Sequence, residues 1–375
     1  MAEPLLLMTP GPTRVPDRVL RAGARPMIHH RTAEFSAELG ATTEMLGPVF
    51  GTASAALPVH TTGRGATEAA ICNFFSPGDE IIACCNGKFG EMWADLAASY
   101  GLVVHRAATS WLHEVDASEI DDLLRERPNV RAVSLTFGDT STGVRNDVAA
   151  VSRVARERNV LVMVDGVSSI GGMPFAFDDW GVDVAVVASQ KCLMSPPGLA
   201  FVAVSDRAWT SYGRAKLPRN YWDFGDIKRN VTRPKPETPG TTPVSLMLQV
   251  AEALRMIHEE GLERVYARHE AMAERARRGA LELGLSLQCP TITHHSTTLT
   301  AIACPPGVPP KAIRDPLTAR GILTAAGLGA PFESSAFRIG HMGDIRLADV
   351  ERTLSALAEV LSELPSEVSS AAGRG

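Results

Sequence analysis

Between about residues 55 and 205 the chain alternates short apolar runs with stretches of helical periodicity. The runs are DEIIACC (79–85), GLVVHRA (101–107), RAVSLTF (131–137), VLVMVDG (160–166), DVAVVAS (183–189) and LAFVAVS (199–205). They are near-continuous in Val, Ile, Leu and Ala instead of alternating with polar residues, which is how strands covered on both faces read. Helical segments at about 63–76, 88–99, 118–126 and 146–158 separate them, with Asn146-Asp147 placed to cap the last. Such alternation predicts an α/β layer with a mostly parallel sheet, whose ligand crevice lies outside the carboxyl ends of the strands.

The rest of the chain is organised differently. Residues 207–240 are rich in Arg, Trp, Tyr and Pro and read as loops and short helices. Pro243 and Ser245 open a long helix to about 260, Gly261 ends it, and a second helix runs to about 284. Short strands at 296–303, 322–325 and 336–340, mixed with helices at 309–319 and 346–363, predict an α+β unit of its own. The expected division is an N-terminal arm (1–20), a large domain (21–260), a small C-terminal α+β domain (261–364) and a frayed tail (365–375). With 45% hydrophobic and 21% charged residues over 375 positions, the composition excludes a disordered or fibrous chain.

A net charge of −5 leaves no electrostatic footprint for nucleic acid. No apolar run approaches the ~18 residues of a membrane span. The opening MAEPLLLMTPGPTRVP lacks a basic region and a cleavage site, and Pro10 and Pro12 interrupt its apolar run, so it does not read as a signal peptide. Cys72, Cys84, Cys85, Cys192, Cys289 and Cys304 form no C-x-x-C pair and read as buried free thiols of a cytoplasmic protein. No H-E-x-x-H motif occurs, and His29-His30-Arg31 and His294-His295 lack companion ligands at metal spacing. They read as surface or gating groups, and no metal site is expected.

Only six lysines occur: Lys88, Lys191, Lys216, Lys228, Lys235 and Lys311. Of these, Lys191 alone follows a buried run, in DVAVVASQK, ahead of the stiff Pro196-Pro197-Gly198 turn. Asp165 ends the neighbouring run VLVMVDG. Singly, each has a structural reading, as a turn cap or a strand-end cation. Together, an amine nucleophile and an acid at adjacent strand ends are the pair a pyridoxal 5'-phosphate (PLP) enzyme needs, for the Schiff base and for the pyridinium nitrogen. The segment Thr61-Thr62-Gly63-Arg64-Gly65-Ala66-Thr67-Glu68 opens a helix with glycines, a cradle suited to an anion. Glu68 stands where a dinucleotide fingerprint needs its third glycine, which counts against an NAD-dependent dehydrogenase. Arg338, in FRIGHMG (337–343), is a lone guanidinium among apolar residues, suited either to a substrate carboxylate or to a structural salt bridge.

These pieces occur in order with others: T-P-G-P-T (9–13), H-R-T-A-E-F (30–35), N-G-K-F-G (86–90), D-T-S-T-G-V (139–144), V-D-G-V-S-S-I-G-G (164–172), S-Q-K-C-L-M-S-P-P-G (189–198) and T-P-x-T-x-P-V-S (238–245). The set resembles the class V, fold-type I PLP aminotransferases, which include serine–pyruvate, alanine–glyoxylate and serine–glyoxylate aminotransferases, over about residues 8–362. The resemblance implies a large domain with a mostly parallel seven-stranded sheet between helices and a smaller C-terminal domain. It implies that Lys191 carries the cofactor as a Schiff base and moves the reacting proton, and that Asp165 pairs with the ring nitrogen. Phe89 and Val167 would flank the ring and Thr140 would lie near its hydroxyl. Thr62, Gly63, Arg64, Ser189 and Gln190 would complete the cofactor site, with phosphate contacts from Gly63, Arg64 and Ser189. Thr241 would serve the cofactor of a neighbouring subunit, making the protein a homodimer. Gly11 and Arg338 would meet the substrate. The implied activity is ping-pong transfer of an amino group from a small α-amino acid to glyoxylate or pyruvate. A PLP-dependent lyase or a specialised transaminase on the same scaffold is the alternative. Three departures from the family pattern stand out: Arg64 after Thr62-Gly63, Gly240 where an aromatic is common, and Asp139 in place of Glu.

Overall fold

The computed structural model describes residues 4–107, 110–289, 293–330 and 332–364, so the expected frayed tail (365–375) lies outside the described residues. Its strands are β1 (Leu6–Leu7), β2 (Leu57–Val59), β3 (Glu80–Cys84), β4 (Val103–Ala107), β5 (Val130–Thr136), β6 (Leu161–Asp165) and β7 (Val184–Ala188). They continue with β8 (Ala200–Val204), β9 (Ser286–Leu287), β10 (Leu299–Ala303), β11 (Ile322–Leu323), β12 (Ala325–Ala326) and β13 (Ala336–Gly340).

A seven-stranded sheet in the order β2-β8-β7-β6-β5-β3-β4 forms the centre. β4, β3, β5, β6 and β7 pair in parallel, while β8 runs against both β7 and β2. The apolar runs explain this arrangement. Every residue of β6, β7 and β8 is buried, and helices such as Gly63–Phe74 and Val148–Glu157 supply the cover. Two details differ from the sequence reading. The run 101–107 becomes an edge strand, with Val103 46% exposed, because its Val-Val pair looks the same in sequence whether one face is covered or two. The strand at the other edge, β2, has only three residues, one of them Pro58, and was not among the apolar runs. A proline fits there because an edge strand need not donate on both sides.

A second sheet, β12-β13-β10-β9, is antiparallel and has its own core, which includes Met272, Ile302, Phe337 and Leu357. The amino-terminal segment packs on that core: β1 pairs with β11 in a separate two-stranded sheet, and Leu6 and Met8 are buried in the same cluster. The expected strand 296–303 begins only at Leu299. Ahead of it the backbone pairs elsewhere, Ser296 N donating to Gly143 O (2.8 Å), and Thr298 Oγ1 donates to the Ser168 carbonyl (2.7 Å). The expected strand 322–325 divides around Thr324 into β11 and β12. All six cysteines are free, five of them buried. No helix among the described residues is long and apolar enough to cross a membrane.

Asn146 and Asp147 divide the capping task. Asp147 accepts from Ala150 N (2.9 Å) at the start of the helix Val148–Glu157. Asn146 is buried and ties three segments together: it donates to Thr136 O (2.8 Å) and accepts from Asn86 Nδ2 (2.8 Å) and Val115 N (3.0 Å). Asn146→Ala takes this partner from Thr136 O and Val115 N and leaves Asn86 Nδ2 only the His113 carbonyl, and should destabilise the protein by roughly 3 kcal/mol, against about 1 kcal/mol for Asp147→Ala. Urea denaturation checks this, and equal costs for the two would contradict it.

Candidate active site

β6 and β7 are parallel neighbours, and their carboxyl ends deliver the two charges singled out in the sequence. Asp165 is the last residue of β6 and is 5% exposed. Its Oδ1 accepts from Val167 N (2.9 Å). Burial pushes its carboxyl up to about 6, against the lowering effect of the Val167 amide. Lys191 stands three residues beyond β7. Its amine donates to the Pro10 carbonyl, and burial lowers it to about 8, with the Arg338 guanidinium acting in the same direction. Gly11 lies directly against it. A Cβ at this position would come within 2.6 Å of Lys191 Cε, and φ is +117°, so only glycine has both the space and the conformation.

Between these groups lies a cavity of about 230 Å³. Thr62, Gly63 and Arg64 line one end of it, at the start of the helix Gly63–Phe74. The Thr62 side chain makes no capping bond, and the amides of Gly63, Arg64 and Gly65 have no acceptor among the described residues. That end of the helix is positive and free to hold an anion. A Cβ on Gly63 would sit 2.6 Å from Val167 Cγ2, so the glycine lets backbone and cavity wall approach.

Phe89 and Met92 line another wall from the helix Lys88–Ser99. Buried Asp139 holds the start of that helix. Its Oδ2 accepts from Phe89 N (3.1 Å), its Oδ1 accepts from Ser141 N (2.8 Å), and Lys88 N donates to Ser141 Oγ (3.0 Å). Thr136, Gly138 and Thr140 come from the end of β5, and Val167 and Ser168 from the turn after β6. Thr140 Oγ1 and Ser168 Oγ are 2.6 Å apart. Gln190 also lines the cavity, and its Oε1 is buried with no partner.

Arg338 lies on β13 and is 8% exposed. Its Nε donates to Ala326 O (2.8 Å) and its Nη1 to Thr140 O (2.9 Å). It makes no ion pair among the described residues, so the salt-bridge alternative is not what the fold builds. Burial lowers this guanidinium to about 10, and Asp139 acts against that shift. A cation held on two carbonyls, with no carboxylate partner, is poised for an anion.

Two residues singled out in the sequence lie elsewhere. Ser189 is fully buried, and its hydroxyl donates to Pro196 O (2.6 Å) and accepts from Leu199 N (3.4 Å). It braces the Lys191 loop and is not on the cavity wall. Thr241 is exposed and shares a separate concavity of about 300 Å³ with His60, Tyr221 and Gly240. His29 and His30 line an open groove, and His294 faces Glu114 (3.1 Å). No group of three or more His, Cys, Asp or Glu among the described residues is placed to hold a metal ion. The sequence reading assigned no site role to Met92, Thr136, Gly138 and Ser168. The available signals were helical spacing for Met92, three residues after Phe89, and the strand-end position for Thr136.

The arrangement suits a ligand with an anionic end at the Gly63 amides, an electrophilic carbonyl within reach of the Lys191 amine, and a basic ring nitrogen facing Asp165. The unpartnered Gln190 oxygen and the uncapped helix start fit a polar ligand lying between them. The chain matches the family described as Aminotransferase class-V over residues 6–336. It is 38% identical to "Soluble hydrogenase, small subunit" of Synechococcus sp. (strain PCC 6716), covering 97% of this chain and 94% of that protein. It is 35% identical to "L-aspartate--glyoxylate aminotransferase" of Paracoccus denitrificans (strain Pd 1222), covering 96% and 91%. The crystal structure of an alanine–glyoxylate aminotransferase from Nostoc sp. superposes with a TM-score of 0.90 at 31% identity, covering 96% of each chain. The chain therefore belongs to the class V aminotransferases, enzymes of fold type I that use PLP to transfer amino groups.

Proposed function

We propose that this aminotransferase takes its amino group from a small α-amino acid and delivers it to glyoxylate or pyruvate by a ping-pong mechanism. One observation carries the reading: a buried amine, Lys191, and a buried carboxylate, Asp165, converge from adjacent strand ends on a cavity that ends in an anion cradle. Relatives named for glyoxylate as acceptor support that choice.

In this reading Thr62, Gly63 and Arg64 hold the cofactor phosphate, Phe89 and Val167 flank its ring, and Thr140 and Gln190 lie at its edge. Asp165 stays ionised beside the ring nitrogen. When bound, PLP supplies an electron sink for the bond that breaks at the substrate Cα. Lys191 does the proton work there. Its depressed pKa keeps a fraction of the amine neutral near pH 7, as a base needs. Arg338 grips the α-carboxylate and thereby orients the Cα–H bond toward Lys191. The backbone of Gly11, pressed against Lys191, leaves room for the small substrate. The exposure of Thr241, away from its own cavity, supports a homodimer in which it reaches the partner's cofactor. We likewise divide the chain into an arm (1–20), a large domain (21–260) and a small domain (261–364), and place the protein in the cytoplasm in keeping with its free thiols.

A donor–acceptor panel read by the 2-oxo acid formed tests the reading. The expected outcome is product only when both partners are present, with parallel double-reciprocal plots. Turnover of donor without an acceptor would mark a lyase instead. Arg338→Ala should raise the KM for the donor by about 10- to 100-fold, the loss of one charge-assisted pairing, while cofactor affinity changes little. Steady-state kinetics and cofactor titration check this together. The rate at which apoenzyme captures PLP should rise with pH and level off above about 8, because only the neutral Lys191 amine attacks. A stopped-flow profile that rises only above pH 10, as for a solvated lysine, would contradict it.

A further inference from the structure

Trp93 is on the same helix as Phe89, one turn further on, so the two side chains share a face. Phe89 lines the cavity, whereas Trp93 lies behind it and is 1% exposed. The indole N–H of Trp93 has no hydrogen-bond partner, an uncommon state for a buried donor. The Asp165 carboxylate is near enough for this indole to favour its charged form. That carboxylate has one oxygen held by Val167 N, while its Oδ2 accepts nothing from the described residues. A donor without an acceptor therefore lies near an acceptor without a donor.

We propose that Trp93 is a positioning residue for Asp165: its indole N–H donates to Asp165 Oδ2 and holds that carboxylate, ionised, against the ring nitrogen of the bound cofactor. This rests on the reading of Lys191 and Asp165 as the cofactor pair. The chemistry favours tryptophan over other polar residues at this point. Burial and nearby Asp139 both push Asp165 toward its neutral form, which cannot pair with a pyridinium. Indole is a donor with no acceptor, so it favours the carboxylate and offers nothing to a carboxylic acid proton. A serine or histidine at this position would accept that proton as readily as donate. The position is also held firmly, because Asp139 and Ser141 fix the first amides of the helix that carries Trp93.

The test uses the full-length enzyme loaded with PLP labelled with ¹⁵N in the ring. Two variants are compared: Trp93→Phe, and a protein carrying the benzothiophene analogue of tryptophan at position 93, which keeps the shape but replaces N–H by sulfur. Both should bind PLP about tenfold more weakly, as expected for one lost hydrogen bond to a charged group. In both, the ring ¹⁵N resonance should move toward the unprotonated position. If the benzothiophene protein matches wild type in affinity and ¹⁵N shift, Trp93 only fills space and the proposal is overturned, whatever Trp93→Phe does. If wild-type protein does not bind PLP, the reading of the cofactor pair itself fails, which is distinct from the failure of the Trp93 assignment.

Discussion

An amine and a carboxylate are kept out of water at the carboxyl ends of adjacent strands, and much of the surrounding structure follows from that constraint. The folded-state value of Asp165, about 6, is above its ordinary one, so ionising it opposes folding: stability is lost as pH rises from about 4 through 6. The folded-state value of Lys191, about 8, is below its ordinary one, so protonating it opposes folding as pH falls from about 10 through 8. Near neutral pH both groups carry charge against the preference of their surroundings. A ligand that takes a covalent bond from one and a charged hydrogen bond from the other relieves both penalties, and binding to the folded state then adds to stability.

The parts that hold this pair are modest and local. The Val167 amide satisfies one oxygen of Asp165, and Pro10 receives the Lys191 amine. Ser189 pins the loop between β7 and Lys191 to Pro196. Arg338 reaches the site from the second sheet and ends on the Thr140 carbonyl, beside the cavity wall. The Arg338 cation and the Lys191–Asp165 pair thus come from different sheets, and their relative placement depends on contacts such as Thr13 Oγ1 with Met342 O (2.8 Å) and Thr298 Oγ1 with Ser168 O.

Much of this was legible in the sequence, for identifiable reasons. Continuous apolar runs made β5 to β8 visible, and the scarcity of lysine directed attention to Lys191. Polar residues ending apolar runs, such as Asp165, stand out because burying them is costly without partners. Other features had no local signal. Whether β4 is covered on one face or two depends on strand order, which the Val-Val pair does not encode. Ser189 looks like a site residue by position, yet its hydroxyl turns to a carbonyl seven residues later. The Trp93 N–H matters through a neighbour 72 positions away, and helical spacing shows only that it shares a face with Phe89. Asn146 occupies a capping position in the sequence yet is a buried hub, because its partners lie at residues 86, 115 and 136.

In the proposed reading the cofactor joins the chain at Lys191 and nowhere else. Borohydride reduction of the purified, PLP-loaded protein followed by peptide mapping in a mass spectrometer tests it directly. One phosphopyridoxyl adduct is expected, on the peptide that contains Lys191. An adduct on any of the other five lysines with Lys191 unmodified would contradict it.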